Sequence, residues 1–336
     1  MIFFLVNGDQ KIGSGHFGRC LNIAGGLKGQ KVTFLSWSLD EKFQDILHGA
    51  EIGFQYIAYA DLQNLSHALE HQGPGLLVVD SDDPQVFDPA FQKSIRATGM
   101  KLMMITVSDR YHFYADIVLN QSILSLEHHY KTEAYTRLLL GPKYFIFDEK
   151  YRDLQLCAPK PAGRNVFIGF GAADPMNYAY KILQSIHARG SFQDWNFHVV
   201  MGSLNSEDRV HQVKQLAENS DLSVEVYFNA RELWKIYETC DLAICSPGRM
   251  FWELALYGVQ SIVLSSAPRE IPSADFLGRH QYAKLALQCD QEWDSGPVTQ
   301  ALLAGEVAPK LVELQDQINP NGLQYLCDEM LELTIR

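Results

Sequence analysis

Short apolar runs bounded by turn residues alternate along this chain with longer segments whose apolar side chains recur every three to four positions. In the first half this pattern predicts strands at Ile2–Val6, Val32–Ser36, Leu76–Asp80, Lys101–Val107 and Asp116–Leu119, and helices at Phe17–Leu27, around Glu41–Leu47 and at Pro89–Thr98. Between Lys143 and Asn165 the pattern breaks, and the stretch from Leu156 to Arg164 carries two prolines and a glycine, the composition of an inter-domain linker. A second alternation follows, with strands expected at Asn165–Gly169, Asn196–Met201, Val224–Tyr227, Leu242–Cys245 and Ser261–Leu264 and helices between them. Such repetition predicts an α/β protein of two doubly wound, Rossmann-like halves, residues 1–155 and 156–336. Ligands of such sheets sit beyond the carboxyl ends of the strands, so a substrate between two such halves would meet loops from both.

Composition narrows the class. The 336 residues are 47% hydrophobic and 20% charged, close to the globular average, which excludes disordered and fibrous classes. Lysine and arginine (28) against aspartate and glutamate (40) give a net charge of −12, a poor footprint for nucleic acid or an anionic membrane, so neither is expected as a partner and an anionic ligand must be held locally. No apolar stretch approaches the roughly 18 residues of a membrane span, and the short apolar start, with no basic residues before it, reads as a first buried strand. The six cysteines form no Cys-x-x-Cys pair, which argues against a zinc site and for a reducing, cytoplasmic location. Oligomeric state leaves no mark in the sequence.

Three turns carry candidate chemistry. Gly13-Ser14-Gly15-His16-Phe17-Gly18-Arg19 follows the first strand and opens a helix, where glycines let an anionic ligand approach free N–H groups. The literal match to G-x-G-x-x-G keeps a dinucleotide site open, with Asp40 as the nearest ribose contact. His16 lies where the helix dipole disfavours imidazolium and would keep the ring neutral near pH 7, able to act as a base, whereas a bound diphosphate would push its pKa the other way; a capping or surface histidine is the plain alternative. In the second half, Ser246-Pro247-Gly248 joins a buried strand to a helix suited to a phosphate, and Glu253, one turn in, is either a ribose contact or an exposed helical glutamate. The turn from Ile168 to Asn177 either closes over a ligand or is a plain strand-to-helix turn with Asn177 as N-cap. Asp80, Asp82, Asp83 and Asp109 fall at strand ends, as catalytic carboxylates or as solvated turn residues.

Together these pieces resemble the PseG/SpsG family, which includes the UDP-sugar hydrolase of pseudaminic acid biosynthesis. The resemblance rests on Gly13-x-Gly15-His16-x-x-Arg19-Cys20-Leu21, Asn120-Gln121, Leu140-Gly141-x-x-Tyr144, Phe170-Gly171-Ala172-Ala173-Asp174-Pro175-x-Asn177, and Asp241-Leu242-Ala243-Ile244 followed by Gly248 and Trp252-Glu253-Leu254. It implies a GT-B fold similar to MurG-like glycosyltransferases, two domains facing a cleft, with the nucleotide on the C-terminal domain. Carried over by motif, His16 would activate the water that attacks the anomeric carbon, Gly13, Gly15 and Arg19 would contact substrate, Glu253 would hold the ribose, Gly248 and Arg249 would lie near the diphosphate, and Gly171 and Asn177 would line the cleft. Leu5 and Asn7 depart from the family's usual Arg-x-Asp, and Gln260 from its usual proline, which bears on the sugar more than on the fold. The implied activity is hydrolysis of a UDP-activated acetamido-deoxy sugar without metal or redox cofactor. A glycosyltransferase of the same fold is the alternative, and a nicotinamide-linked oxidoreductase and a non-catalytic nucleotide-sugar binding protein are two others.

Overall fold

The computed structural model describes residues 1–9, 15–161, 163–289, 294–304, 308 and 310–335. The chain forms two compact units, Met1–Asp153 with Asn319–Arg336, and Leu154–Ile318.

The first unit is built on β1 (Ile2–Val6), β2 (Val32–Ser36), β3 (Gly53–Tyr56), β4 (Leu76–Asp80), β5 (Lys101–Ile105), β7 (Ile117–Asn120) and β9 (Arg137–Leu140), a sheet of order β3-β2-β1-β4-β5-β7-β9. Every pairing is parallel; β6 (His112–Phe113) and β8 (Lys131–Thr132) form a small ribbon apart. Because successive side chains on a strand face opposite ways, Ile2, Phe4, Val6, Leu76 and Val78 enter one core with α1 (Gly15–Gly26) and α2 (Glu41–Gly49). Phe3, Leu5, Leu77 and Val79 enter the other, under α3 (Leu65–Leu69) and α4 (Pro89–Ala97). Asp80, last in β4, falls by this period on the α1 side.

The second unit repeats the plan with β10 (Asn165–Gly169), β11 (Asn196–Met201), β12 (Ser223–Phe228), β13 (Leu242–Cys245), β14 (Gln260–Leu264) and β15 (Leu285–Leu287), in the order β12-β11-β10-β13-β14-β15. Its helices are α5 (Tyr178–Arg189), α6 (Glu207–Glu218), α7 (Leu233–Thr239), α8 (Arg249–Leu256), α9 (Ile271–Arg279), α10 (Gly296–Leu303) and α11 (Leu311–Gln315). The proline-rich stretch expected as a linker is strapped to this unit. Cys157 N donates to Leu256 O at 3.0 Å, and Lys160 Nζ donates to the carbonyls of Tyr237, Glu238 and Cys240. Gly258 turns beneath it with φ +67°, where a Cβ would stand 2.2 Å from Ala158 O, so both conformation and space require glycine.

One expectation needs correction. The second half does not run to residue 336, because α12 (Gly322–Ile335) belongs to the first unit. Leu323, Leu326, Cys327, Met330 and Leu333 join the core that α1 covers, and the backbone of Gly26 approaches so closely that a Cβ there would lie 2.8 Å from Cys327 Sγ. Among the described residues no helix is long and apolar enough to cross a membrane.

Leu326 and Met330 are fully buried in that core. Either one changed to alanine is expected to lower unfolding free energy by about 2–5 kcal/mol, read from urea denaturation; a loss below about 1 kcal/mol would mean that α12 only rests on the surface.

Candidate functional site

In the first sheet the chain winds outward in both directions from β1 and β4, so the gap between their carboxyl ends is the topological switch point at which doubly wound sheets bind ligands. Residues from three chain segments meet there. Asn7 follows β1, His16 stands in the first turn of α1, and Asp80 ends β4, with Asp82 two residues on. A cavity of about 380 Å³ opens here, lined by these residues with Trp37, Ser81 and Asp83.

Asp80 is buried, 1% exposed, yet ionised and fully partnered. Arg19, one turn beyond His16 on α1, grips it with two parallel bonds, Nε to Oδ2 and Nη2 to Oδ1, both 2.7 Å. His16 Nδ1 lies 2.7 Å from Oδ1, and the Cys20 thiol donates to Oδ2 at 3.6 Å. Burial pushes the Asp80 carboxyl up, but the Arg19 charge and the hydrogen bonds from His16 and Arg19 outweigh it and hold it below the ordinary carboxylate range. Beside it the Cys20 thiol is pushed well up, by burial first and the Asp80 charge second.

With Nδ1 committed to Asp80, His16 presents Nε2 on the other side of the ring, 3.4 Å from Oδ2 of the exposed Asp82. The hydrogen bonds to Asp80 and then Asp82 raise His16 to about 9, against the lowering effects of burial and the Arg19 charge. This corrects the expectation of a neutral ring at pH 7. The helix dipole, worth a fraction of a charge, is outweighed by two full carboxylates in contact. Nor is the ring freely exposed, since the side chain is 21% exposed and held from both sides by Asp80 and Asp82. Arg19, expected to contact substrate, has its guanidinium turned to Asp80. Gly15 opens α1 with nothing within 4 Å of a Cβ, leaving backbone open to approach; Gly13 lies outside the described residues.

In the second unit β10 and β13 flank the corresponding switch point, paired up to Gly169 and Cys245. Gly248 is the N-cap of α8, its Cβ position free but for Ser246 Oγ at 3.8 Å. Arg249 begins the helix. Glu253 is not the exposed glutamate allowed above but is 4% exposed, accepting a 3.0 Å bond from Tyr237 Oη with Arg249 Nη1 at 4.0 Å. Gly171 (φ +74°) and Asn177 (φ +54°) bend the loop after β10. Asn177 takes the N-cap position of α5 without capping it; the buried carboxylate of Asp174 does so, accepting from Tyr178 N and Ala179 N at 2.9 Å each. The Asn177 Oδ1 atom is buried with no partner among the described residues.

Sequence reasoning left Asp80 and Asp82 undecided and passed over Trp37. The available signal for Asp80 was its position at the end of a fully apolar strand on the α1 side.

Two doubly wound α/β units with their loops at such switch points define the GT-B fold of glycosyltransferases. Among solved structures the chain is similar over 98% of its length to MurG of Acinetobacter baumannii, covering 99% of that chain at TM-score 0.68 and 13% identity. It is similar over 98% of its length to Anabaena HepE in complex with UDP and glucose, covering 99% of that chain at TM-score 0.56 and 12% identity. A glycosyltransferase from Rickettsia africae matches over the whole of this chain and 98% of its own, at TM-score 0.61 and 12% identity. No family model matches. An uncharacterized protein of Methanocaldococcus jannaschii is 25% identical over 275 residues, 78% of this chain; the chain spans about half (55%) of that curated relative.

Arg19→Ala strands a buried carboxylate and is expected to cost about 3–5 kcal/mol of folding free energy. The His16 interaction has its own pH signature. Its folded value, about 9, exceeds the ordinary 6.5, so its stabilisation is full below 6.5 and is lost as pH rises through 9. The stability gap between wild type and His16→Asn, measured by chemical denaturation, should therefore shrink across that window; a constant gap would remove the charged pairing.

Proposed function

We propose that this chain is a UDP-sugar-dependent enzyme that cleaves the anomeric C–O bond, releasing UDP and free sugar in the synthesis of a nonulosonic, pseudaminic-acid-like surface glycan. The observation that carries the reading is the His16–Asp80 pair at the switch point, with Nε2 turned away from Asp80 beside the cavity. The fold, and the resemblance of the Gly-His-x-x-Arg loop to the PseG/SpsG family, support the sugar nucleotide as substrate.

In this mechanism Asp80 keeps the proton on Nδ1 and fixes the ring, as a buried carboxylate does for a catalytic imidazole. Substrate displaces the exposed Asp82 from Nε2, which removes one of the two interactions that hold the ring protonated and lets Nε2 give up its proton to solvent. His16 then takes a proton from water as the water oxygen bonds to the anomeric carbon. The bond to the diphosphate oxygen breaks with its electron pair, and UDP leaves. In the second unit, taken by itself, Gly248, Arg249 and the α8 N-terminus suit a diphosphate, Glu253 a ribose diol, and the loop of Gly171 and Asn177 backbone contacts to a ligand. An acceptor hydroxyl in place of water gives the glycosyltransferase reading, which the glycosyltransferases among the structural neighbours favour.

UDP release from UDP-linked acetamido sugars should fall about 10²–10⁴-fold in kcat with His16→Ala, while UDP protection against heat is unchanged; an unaltered kcat would remove His16 from the chemistry. Fast release only on adding an acceptor extract would select the transferase. Because the base form of His16 appears as pH approaches about 9, kcat/KM for the free enzyme should climb to that value, and Asp82→Asn should move the climb to lower pH.

A further inference from the structure

The cavity that His16 lines also carries groups that the chemistry above does not use. Asn7 is 3% exposed, and its Oδ1 accepts three bonds, from Ser36 Oγ at 2.8 Å and from the backbone N–H groups of Trp37 and Ser38 at 3.2 Å each. This fixes the orientation of the amide and leaves its NH₂, a two-proton donor, with no partner among the described residues in a side chain that lines the cavity. Trp37 packs partly on the core of the first unit and also lines the cavity. Tyr59 lies beside it, ring centroids 5.7 Å apart, and the Asp83 carboxylate near its hydroxyl pushes that phenol up.

The charges differ in kind. Asp80 is neutralised by Arg19 and Asp82 by the His16 imidazolium, whereas Asp83 accepts from Gln85 N at 2.9 Å and faces no cation among the described residues. A flat indole surface, a fixed amide donor and an uncompensated carboxylate make a recognisable set. The aromatic face suits the C–H side of a sugar ring, the amide N–H a carbonyl or hydroxyl oxygen, and the carboxylate O–H or N–H donors. The same carboxylate repels any ligand that brings its own negative charge.

We propose that Asn7, Trp37 and Asp83 form a subsite for the uncharged pyranose ring of the substrate, stacked on Trp37 and hydrogen-bonded to Asn7, and that Asp83 excludes acidic sugars. The proposal rests on the reading of His16 as the group that meets the reacting sugar. Asn7, a departure from the family's pattern, is here a donor to the ligand.

The test uses the full chain, with free N-acetylglucosamine and glucuronic acid as probes in saturation-transfer NMR, and UDP heat protection measured in parallel. N-acetylglucosamine should bind at least about tenfold more tightly than glucuronic acid. Trp37→Ala should weaken the neutral sugar about tenfold, with Trp37→Phe retaining much of its binding, and Asp83→Asn should narrow the gap by raising glucuronic acid binding. Equal binding of the two sugars, no neutral-sugar signal in wild type, or no response to Asp83→Asn would overturn the subsite. Loss of UDP protection in wild type would instead overturn the sugar-nucleotide reading, since the sugar-binding result stands apart from it. Asp83→Asn keeps the oxygen that caps the turn at Gln85, so misfolding of Trp37→Ala would not leave the proposal without its check.

Discussion

A carboxylate that is 1% exposed survives ionised only if its oxygens are taken, and Asp80 has four donors directed at it: two from Arg19, one from His16 and one from Cys20. Much of the first unit follows from that cluster. Arg19 and Cys20 reach Asp80 together only if α1 begins near Gly15 and lies across the ends of β1 and β4. His16 in turn reaches it only from the first turn of that helix. The arrangement fixes an imidazole to within a hydrogen bond at the edge of a cavity, and it does so with a helix, a strand and one bidentate ion pair, none of them a loop. A site on rigid elements keeps its geometry when ligands come and go.

The strand pattern was legible because parallel strands buried on both faces are continuous apolar runs: β1, β2, β4, β10, β11 and β13 fall where periodicity put them. The elements it did not give are instructive. In β3, Gly53, Gln55 and Tyr56 are exposed, so this edge strand lacks the apolar run that marks its neighbours. The return of α12 to the first unit is a matter of which core its apolar stripe meets, and a stripe of period 3.6 is the same whichever sheet it covers. Here Gly26 and Cys327, some three hundred positions apart in the chain, decide it.

The site was half legible for a similar reason. The motif named His16 and Arg19, but the carboxylate that gives both their roles comes from another strand, and four aspartates at strand ends look alike in sequence. What separates Asp80 from Asp109 is burial and the company of a guanidinium. The charge of His16 came out opposite to the local argument because the dipole of its own helix is a neighbour in sequence, whereas Asp80 and Asp82 are neighbours only in space and carry whole charges at hydrogen-bond distance. Glu253 shows the same limit: its buried bond with Tyr237 crosses from α8 to α7.

The two units also differ in the charge they present. Around the first cavity, among the described residues, three carboxylates (Asp80, Asp82, Asp83) face two cations (Arg19 and the imidazolium of His16), and both cations are already paired. Such a wall is a poor host for a diphosphate, whose charges would compete with Asp80 and Asp82 for the same donors. The start of α8 has the opposite character, a helix N-terminus that its cap residue's side chain does not satisfy, with a glycine that leaves room for close approach and Arg249 at its first position. Taken each by itself, the first unit presents an imidazole fixed in an acidic wall, and the second presents the positive end of a helix with a glycine at its cap.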